Sequence, residues 1–578
     1  MDIQRTILLI IFGMSLVFLW DAWMRHQGQP ALFGPPPAEK KAVAADPAVA
    51  PAPAALANEV PAPAAVPGAA VPAVDAKVTP EPVAAVERIR IETDVVRADL
   101  DATGAVLARV ELLQHRVAPD WTAAGLIGLI TGKRHDPQAN VVLLDWTKER
   151  VYLARSGLTG AADVRLPNHL TPFTLLPGPR ELAPGQDALE VKFEASAGGL
   201  QVVKTYVFRR GRYDVEVRHD IRNLGQTAVA PSLYLQLVRD GNPPAGESFL
   251  YYTFTGPAVY SEAHKFQKVP FGDIERARQE HVREAKDGWI AMIQHYFVSA
   301  WVLEPGRYRE VRTAQDAPNL YSVSAVTPIE AIAPGASASS RATLWVGPQI
   351  QEYLDAVAPG LDLVVDYGWL TFLSKPLFWL LQLFHDLVGN WGWAIVLLTV
   401  LVKAVFYPLS AASYKSMAKM KEVTPRLMAL REKYGDDKQK MNTAMMELYK
   451  TEKINPLGGC LPIVVQIPVF IALYWVLLAS VEMRNQPWML WVSDLATPDP
   501  WFILPVLMMA SMWVQFKLNP TPPDPIQAKV MAAMPFIFGI MFFLFPAGLV
   551  LYWLVNNCIS IAQQWYVMRQ VQAAKPVG

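Results

Sequence analysis

The chain has 578 residues, room for two or three domains. Its 52 basic and 52 acidic side chains cancel, so the global charge gives no pointer to nucleic acid. Hydrophobic residues make up 52%, and the only cysteines, Cys460 and Cys558, both sit in apolar runs, which excludes a disulfide framework and predicts two free, packed thiols.

Residues 1–24 carry Arg5 ahead of an apolar run over 7–20. No small-x-small site follows promptly, since Ala42-Val43-Ala44 lies far downstream, so the segment is expected to stay as a membrane anchor. The run is short, and Trp20 and Trp23 suit the interface. Residues 25–86 are dominated by Ala and Pro, with almost nothing to build a core, and predict an extended spacer outside the membrane.

Over 87–365 the pattern changes to period-two alternation, as in LEVKFEA and PSLYLQLVRD, between Gly, Pro, Asn and Asp punctuation. That predicts an antiparallel β-sandwich, closed by a short helix near 350–358. Its histidines, His169, His219 and His295 among them, are scattered without paired catalytic spacing. The chain has no P-loop, no Cys/His cluster and no G-x-S-x-G, so no metal, cofactor or covalent chemistry is expected.

Residues 366–388 predict an amphipathic helix lying in the membrane interface, with Pro376 as its first helical residue. Lys375, Gln382 and Asp386 fall on one face, and Leu377, Leu380, Phe384 and Leu387 on the other. Five apolar stretches, 389–410, 460–481, 501–517, 530–546 and 548–568, then predict five spans, six with the anchor. The segment 411–459 holds ten Lys and Arg over 413–459 and belongs in the cytoplasm, as does 518–529. This topology puts the β-domain and the loop 482–500 outside, and both termini, including the short tail 569–578, inside.

The cytoplasmic segment predicts a helical hairpin, with arms over 413–434 and 438–451. Gly435 suits a helix end, Asp436 or Asp437 suits the next N-cap, and Pro425 is expected to kink the first arm. Met417, Met420, Met428, Met441, Met445 and Met446 occupy its apolar positions. The sequence leaves two readings open for them: a seam between the arms, or an adaptable surface for varied apolar segments.

Lys403 stands out because it interrupts an apolar run over 391–409. A cation inside a spanning helix costs at least a few kcal/mol, so it usually faces a cavity or a partner. Helix rise places Lys403 roughly 18 Å from the outer end of its run, with Thr399 one turn above. Ser560 lies at the same depth in the last run, where Asn556, Ser560, Gln563 and Gln564 form a polar stripe. Gln466 matches Lys403 when counted from the other side, and the fourth span offers Ser511 and Gln515. Polar groups from several spans thus gather in the cytoplasmic half, which predicts a hydrophilic groove open only to the cytoplasm. Snorkelling of Lys403, and polar groups acting merely as interhelical glue, stay open as rival readings. A secondary transporter with Lys403 as substrate or proton site is the alternative function, but the inverted repeat it calls for is not found.

The runs YPLSAASYKSMAKM, GDDKQK, ELYKTEKINPLGGCLPIVVQIPVFIALYW and FPAGLVLYWLVNN resemble the YidC-type membrane protein insertases of Gram-negative bacteria (the YidC/Oxa/Alb family), and DGWIAMIQHYF resembles that family's periplasmic domain. The resemblance covers essentially 89–569. It implies a polytopic α-helical inner-membrane domain, a cytoplasmic helical hairpin and a periplasmic supersandwich like that of sugar mutarotases, without catalysis. It further implies insertion and folding of nascent inner-membrane proteins, alone or with the Sec translocon and its accessory subunits. Transient contact with the ribosome and signal recognition pathway, and with the phospholipid bilayer, is implied as well. The groove would carry one cation that attracts acidic residues of exported segments, and the hairpin would receive the incoming chain. Three departures stand out: lysine at 403 where arginine is usual, a long Ala/Pro spacer, and a short tail. Arginine stays charged in a dry site, whereas lysine can lose its proton.

Overall fold

Strand-forming alternation and apolar helices divide the chain at Val365/Asp366 into a β unit and a helical unit. A computed structural model describes residues 88–117, 139–160, 165–244, 253–434, 437–452, 461–519 and 525–573. The expected anchor, the spacer, Gly435, Asp436 and Cys460 lie outside the described residues.

The β unit contains two antiparallel sheets, each with nine strands among the described residues. The first runs in space from Arg88–Glu92 through Val96–Asp101, Val106–Arg116, Asn140–Trp146, Val151–Thr159, Ser232–Asp240, Leu320–Pro328 and Arg309–Ala317 to Glu284–Ala285. The second runs from Lys265–Lys268 through Gly256–Ser261, Trp289–Gln294, Phe297–Leu303, Ser337–Pro348, Asp214–Asn223, Leu200–Arg209 and Ala188–Ala197 to Thr174–Leu175. In the strand Ala188–Ala197 the alternation works as expected: Leu189, Val191, Phe193 and Ala195 are buried. Each such burial contributes about 1.5–3 kcal/mol for the larger side chains. The strands Val151–Thr159 and Ser232–Asp240 are instead buried at every position.

Polar bonds tie the two sheets together through the core. The Tyr152 hydroxyl reaches Met292 O at 3.0 Å and also meets the Ser299 hydroxyl, while Trp301 Nε1 donates to Gln236 O at 3.2 Å. Lys204 Nζ donates to three carbonyls, Gly104 O, Ala105 O and Ser156 O, at 3.0, 3.1 and 3.3 Å. Two short helices, α1 (Phe271–Glu275) and α2 (Gln351–Val357), belong to this unit, the second where a closing helix is expected.

The helical unit comprises α3 (Thr371–Val388), α4 (Trp391–Val405), α5 (Tyr407–Tyr434), α6 (Lys438–Thr451), α7 (Leu461–Ala479), α8 (Ile503–Leu518), α9 (Pro525–Met541) and α10 (Ala547–Ala573). Helix α3 begins five residues before Pro376, because a 3₁₀ turn over Gly368–Leu370 leads into it and Thr371 Oγ1 donates to Gly368 O at 2.6 Å. Its buried stripe is Ser374, Leu377, Phe378 and Leu381. Leu387, expected on the apolar face, is exposed together with Trp369, Phe372 and Trp379. The Leu377 side of the helix packs inward, and Leu380 and Phe384 from the expected apolar face are half-buried.

The helix expected over 391–409 ends at Val405, and the chain bends by 65° into α5. Among the described residues no single helix is long and apolar enough to cross a membrane, although this bent pair passes by length and composition. Exposed apolar side chains nevertheless surround the helices, among them Val405, Val506, Trp513, Phe536, Ile537 and Ile540. Helices α5 and α6 pack against each other as two arms, and Asp437 caps α6 by accepting from Lys440 N at 3.1 Å. Pro425 lies inside α5. Cys558 is a free thiol, but it is exposed and not packed, because α10 turns that face outward.

Candidate functional site: a polar cluster around Lys403

Asn390 starts α4 as its N-cap, its side-chain oxygen accepting from Trp393 N at 3.1 Å. Three turns on, Lys403 points into the bundle and is only 4% exposed. Its ammonium donates to Ser560 Oγ of α10 at 2.7 Å and, at a long 3.5 Å, to Gln466 Oε1 of α7. Ser560 Oγ donates its own hydrogen bond to Asn556 O at 2.7 Å, so the hydroxyl is oriented to accept from the lysine. Gln466 Nε2 donates to Asn556 Oδ1 at 2.9 Å, and Gln563 Nε2 reaches the backbone oxygen of Lys403 at 3.4 Å. Tyr414 of α5 also approaches Ser560.

Lys403, Gln466, Asn556, Ser560 and Gln563 therefore form one cluster spanning α4, α7 and α10. Three expected members stand apart. Thr399 is buried on the same face of α4, but its hydroxyl turns back to Ile395 O at 2.7 Å. Ser511 of α8 meets Asn557 Nδ2 at 3.3 Å, on a different side of α10 from Asn556. Gln515 is half-buried one turn beyond Ser511.

The methionines of the hairpin divide. Met420 and Met445 pack with Val423, Leu427, Leu448 and Tyr449 between the arms. Met428 and Met446 are exposed, at 48% and 52%, while Met417 and Met441 are half-buried. The seam thus takes Met420 and Met445, while Met428 and Met446 present exposed side chains on the hairpin.

Sequence reasoning missed Tyr414 and the pairing of Gln564 with Asn519, at 3.0 Å. Asn557, read from the sequence only as interhelical glue, makes such a bond to Ser511. Tyr414 had no usable signal, because only the bend at Phe406 brings it back toward α10. Among the described residues no group of three or more His, Cys, Asp or Glu is placed to hold a metal. The cluster offers one cation with hydroxyl and amide partners, a set that binds and orients polar groups.

The model of the 60Kd inner membrane protein family matches residues 383–574, and that of the YidC periplasmic domain matches 88–380. The chain is 55% identical to the membrane protein insertase YidC of Bordetella petrii, over 99% of this chain and 98% of that one. It is 51% identical to the same-named protein of Cupriavidus necator, over 100% and 99%. A crystal structure of an active YidC insertase with its first transmembrane domain resolved covers 84% of this chain and 93% of its own, at 18% identity and a TM-score of 0.38. Helical unit, β unit and family matches together define an inner-membrane protein with a periplasmic domain. The chain belongs to the YidC family of membrane protein insertases. Insertases are not enzymes, and neither is this chain.

Proposed function

We propose that the chain inserts and folds nascent inner-membrane proteins through a groove centred on Lys403. The observation that carries this reading is the buried ammonium shared by Ser560 and Gln466. Its partners are side chains on two other helices, and an acidic residue of a passing segment can take their place. A polar site at membrane depth lowers the desolvation cost of moving a short polar segment across. The membrane potential adds roughly 2.3 kcal/mol per charge per 100 mV for an acidic segment moving outward.

In this reading the chain has six spans with both termini and the hairpin in the cytoplasm. Supporting it, the N-terminal ends of α4, α8 and α10 meet the loop after α7, as alternating spans require. Helix α4 has 15 residues, so its rise is about 22 Å against a hydrocarbon core of about 30 Å. A locally thinned bilayer would absorb that mismatch and shorten the crossing. Exposed Met428 and Met446 offer the incoming chain an adaptable surface on the hairpin. Family resemblance supports work alone or beside the Sec translocon, with transient ribosome contact.

Insertion of a substrate with an acidic exported tail into proteoliposomes tests the reading. Lys403→Ala is expected to reduce it about tenfold, and Lys403→Arg to preserve it. Normal insertion by the alanine variant would remove the charge-attraction mechanism.

A further inference from the structure

The loop after α7, residues 480–502, joins the outer ends of three helices. It satisfies N–H groups that a helix start leaves without an internal partner. At α10, Thr497 O accepts from Ala547 N at 2.7 Å and Leu495 O from Gly548 N at 2.9 Å. At α8, the Asp499 carboxylate accepts from Leu504 N at 2.7 Å and, within the loop, from Trp501 N at 3.0 Å. At α4 the link runs through Asn390. Its side-chain oxygen caps the helix, while its Nδ2 donates to Pro487 O and Trp488 O, both at 3.1 Å.

The same loop supplies an apolar stopper. Val481, Met483, Val492 and Leu495 are buried, and the Trp488 ring lies against Gly392 and meets Trp393 edge-on. A Cβ on Gly392 would come within 2.2 Å of Trp488 Cδ1, so the indole occupies the space a side chain would take. Lys403 sits 11 residues beyond Gly392 along α4, roughly 16 Å away by helix rise.

We propose that residues 480–502 form an ion-tight plug over the outer end of the groove, with Asn390 as the positioning residue that straps it to the helix carrying Lys403. This rests on the groove reading. A groove open to the cytoplasm and wet to the depth of Lys403 leaves only the outer half of the bundle as a barrier. An insertase in an energised membrane needs that barrier to hold protons back. Three helix starts held by one loop form a rigid closure, and Asn390 is the link made by a single side chain with two opposite roles.

Those roles can be separated in the full-length protein. Asn390→Asp keeps the capping acceptor and loses both donors. Asn390→Ala loses both functions. Leu387→Ala alters an exposed side chain of α3, outside that loop. Proton flux into proteoliposomes, read by a trapped pH dye under an imposed gradient, is expected to match protein-free vesicles for the wild type and Leu387→Ala. It is expected to rise about tenfold for Asn390→Asp and at least as much for Asn390→Ala. Wild-type flux in a folded Asn390→Asp variant would overturn the proposal. So would a leak confined to Asn390→Ala, which would assign the effect to the cap, or an equal leak from Leu387→Ala. Trp488→Ala, which removes the stopper and spares the cap, is expected to leak as Asn390→Asp does, and a tight Trp488→Ala would likewise overturn the plug. Insertion by Lys403→Ala measured on the same vesicles keeps the claims apart, since its outcome bears on the groove and not on the plug.

Discussion

The molecule buries a lysine in each unit. Lys204 sits in the sandwich and Lys403 in the helical bundle, at 1% and 4% exposure. Each ammonium donates to neutral oxygens. Their partners differ. Lys204 is held by three backbone carbonyls, whose positions the sheet and the turn at Gly104 dictate. Lys403 is held by a hydroxyl and an amide on long or rotatable side chains. Backbone acceptors cannot leave without unfolding, so Lys204 is a structural tie. Side-chain acceptors can rotate away, which is what the proposed exchange of Lys403 onto an incoming anion requires. Burial alone does not distinguish a fixed ammonium from an exchangeable one; the mobility of its partners does.

The sharpest way to break the comparison is at Lys204's cradle. Gly104 has φ +74°, and a Cβ there would lie 2.3 Å from His169 O. Gly104→Ala should cost about 3 kcal/mol or more through strain and clash, displacing one of the three carbonyls. Chemical denaturation of the sandwich, followed by hydrogen exchange, would measure it; a loss below about 1 kcal/mol would show the cradle to be soft.

Next is pH. Burial lowers Lys204 to about 7 from its ordinary 10.5, and lowers His219 through burial first and then the Lys204 charge. Between pH 7 and 10.5 the unfolded chain binds the extra lysine proton, so sandwich stability should rise with pH across that window. Below pH 7 the lysine cost is fully present, and His219 adds to it as pH falls through its unfolded value near 6.5. The total is a few kcal/mol between about pH 10 and about pH 6. Lys204→Met should abolish the part above about pH 7, while taking a donor from three carbonyls, of which Ala105 O keeps the Tyr206 hydroxyl, at a cost of about 2 kcal/mol. Denaturation midpoints across pH in both proteins check this.

The same substitution at Lys403 should act differently. Lys403→Met is expected to leave sandwich stability unchanged within about 0.5 kcal/mol. It should cut insertion of acidic-tailed substrates about tenfold, equivalent to about 1.4 kcal/mol. Lys204→Met should keep insertion within about twofold at a temperature where the sandwich is folded. Parallel insertion assays would reverse the assignment of roles if both variants lost activity equally. The smallest effect is expected at Ser560→Ala, which removes Lys403's 2.7 Å partner but leaves Gln466. A loss of about threefold, near 0.7 kcal/mol, fits one exchangeable hydrogen bond.

Several elements are legible in the order of residues alone. Alternation in LEVKFEA places Leu189, Val191 and Phe193 inward because side-chain direction in a strand has a period of two. Asp437 is one of two candidates for the α6 cap, and the fold selects it. Depth counting pairs Lys403 with Ser560 correctly, since helix rise is nearly constant. It does not distinguish Thr399, which satisfies itself on Ile395, because rise fixes height and not where a hydroxyl donates.

The amino-acid sequence by itself determined the strand character before Val365, the helical character after it, and the family. Periodicity, apolar run length and the basic hairpin depend only on local order along the chain. Tertiary structure decided three further things. It bent the run over 391–409 at Phe406, bringing Tyr414 toward Ser560. It divided the hairpin methionines into seam and surface. It gave the loop 480–502 its grip on three helix starts. Each depends on which groups meet across long sequence separations, and spacing along one helix carries no record of the azimuth or the neighbour that a side chain finally finds.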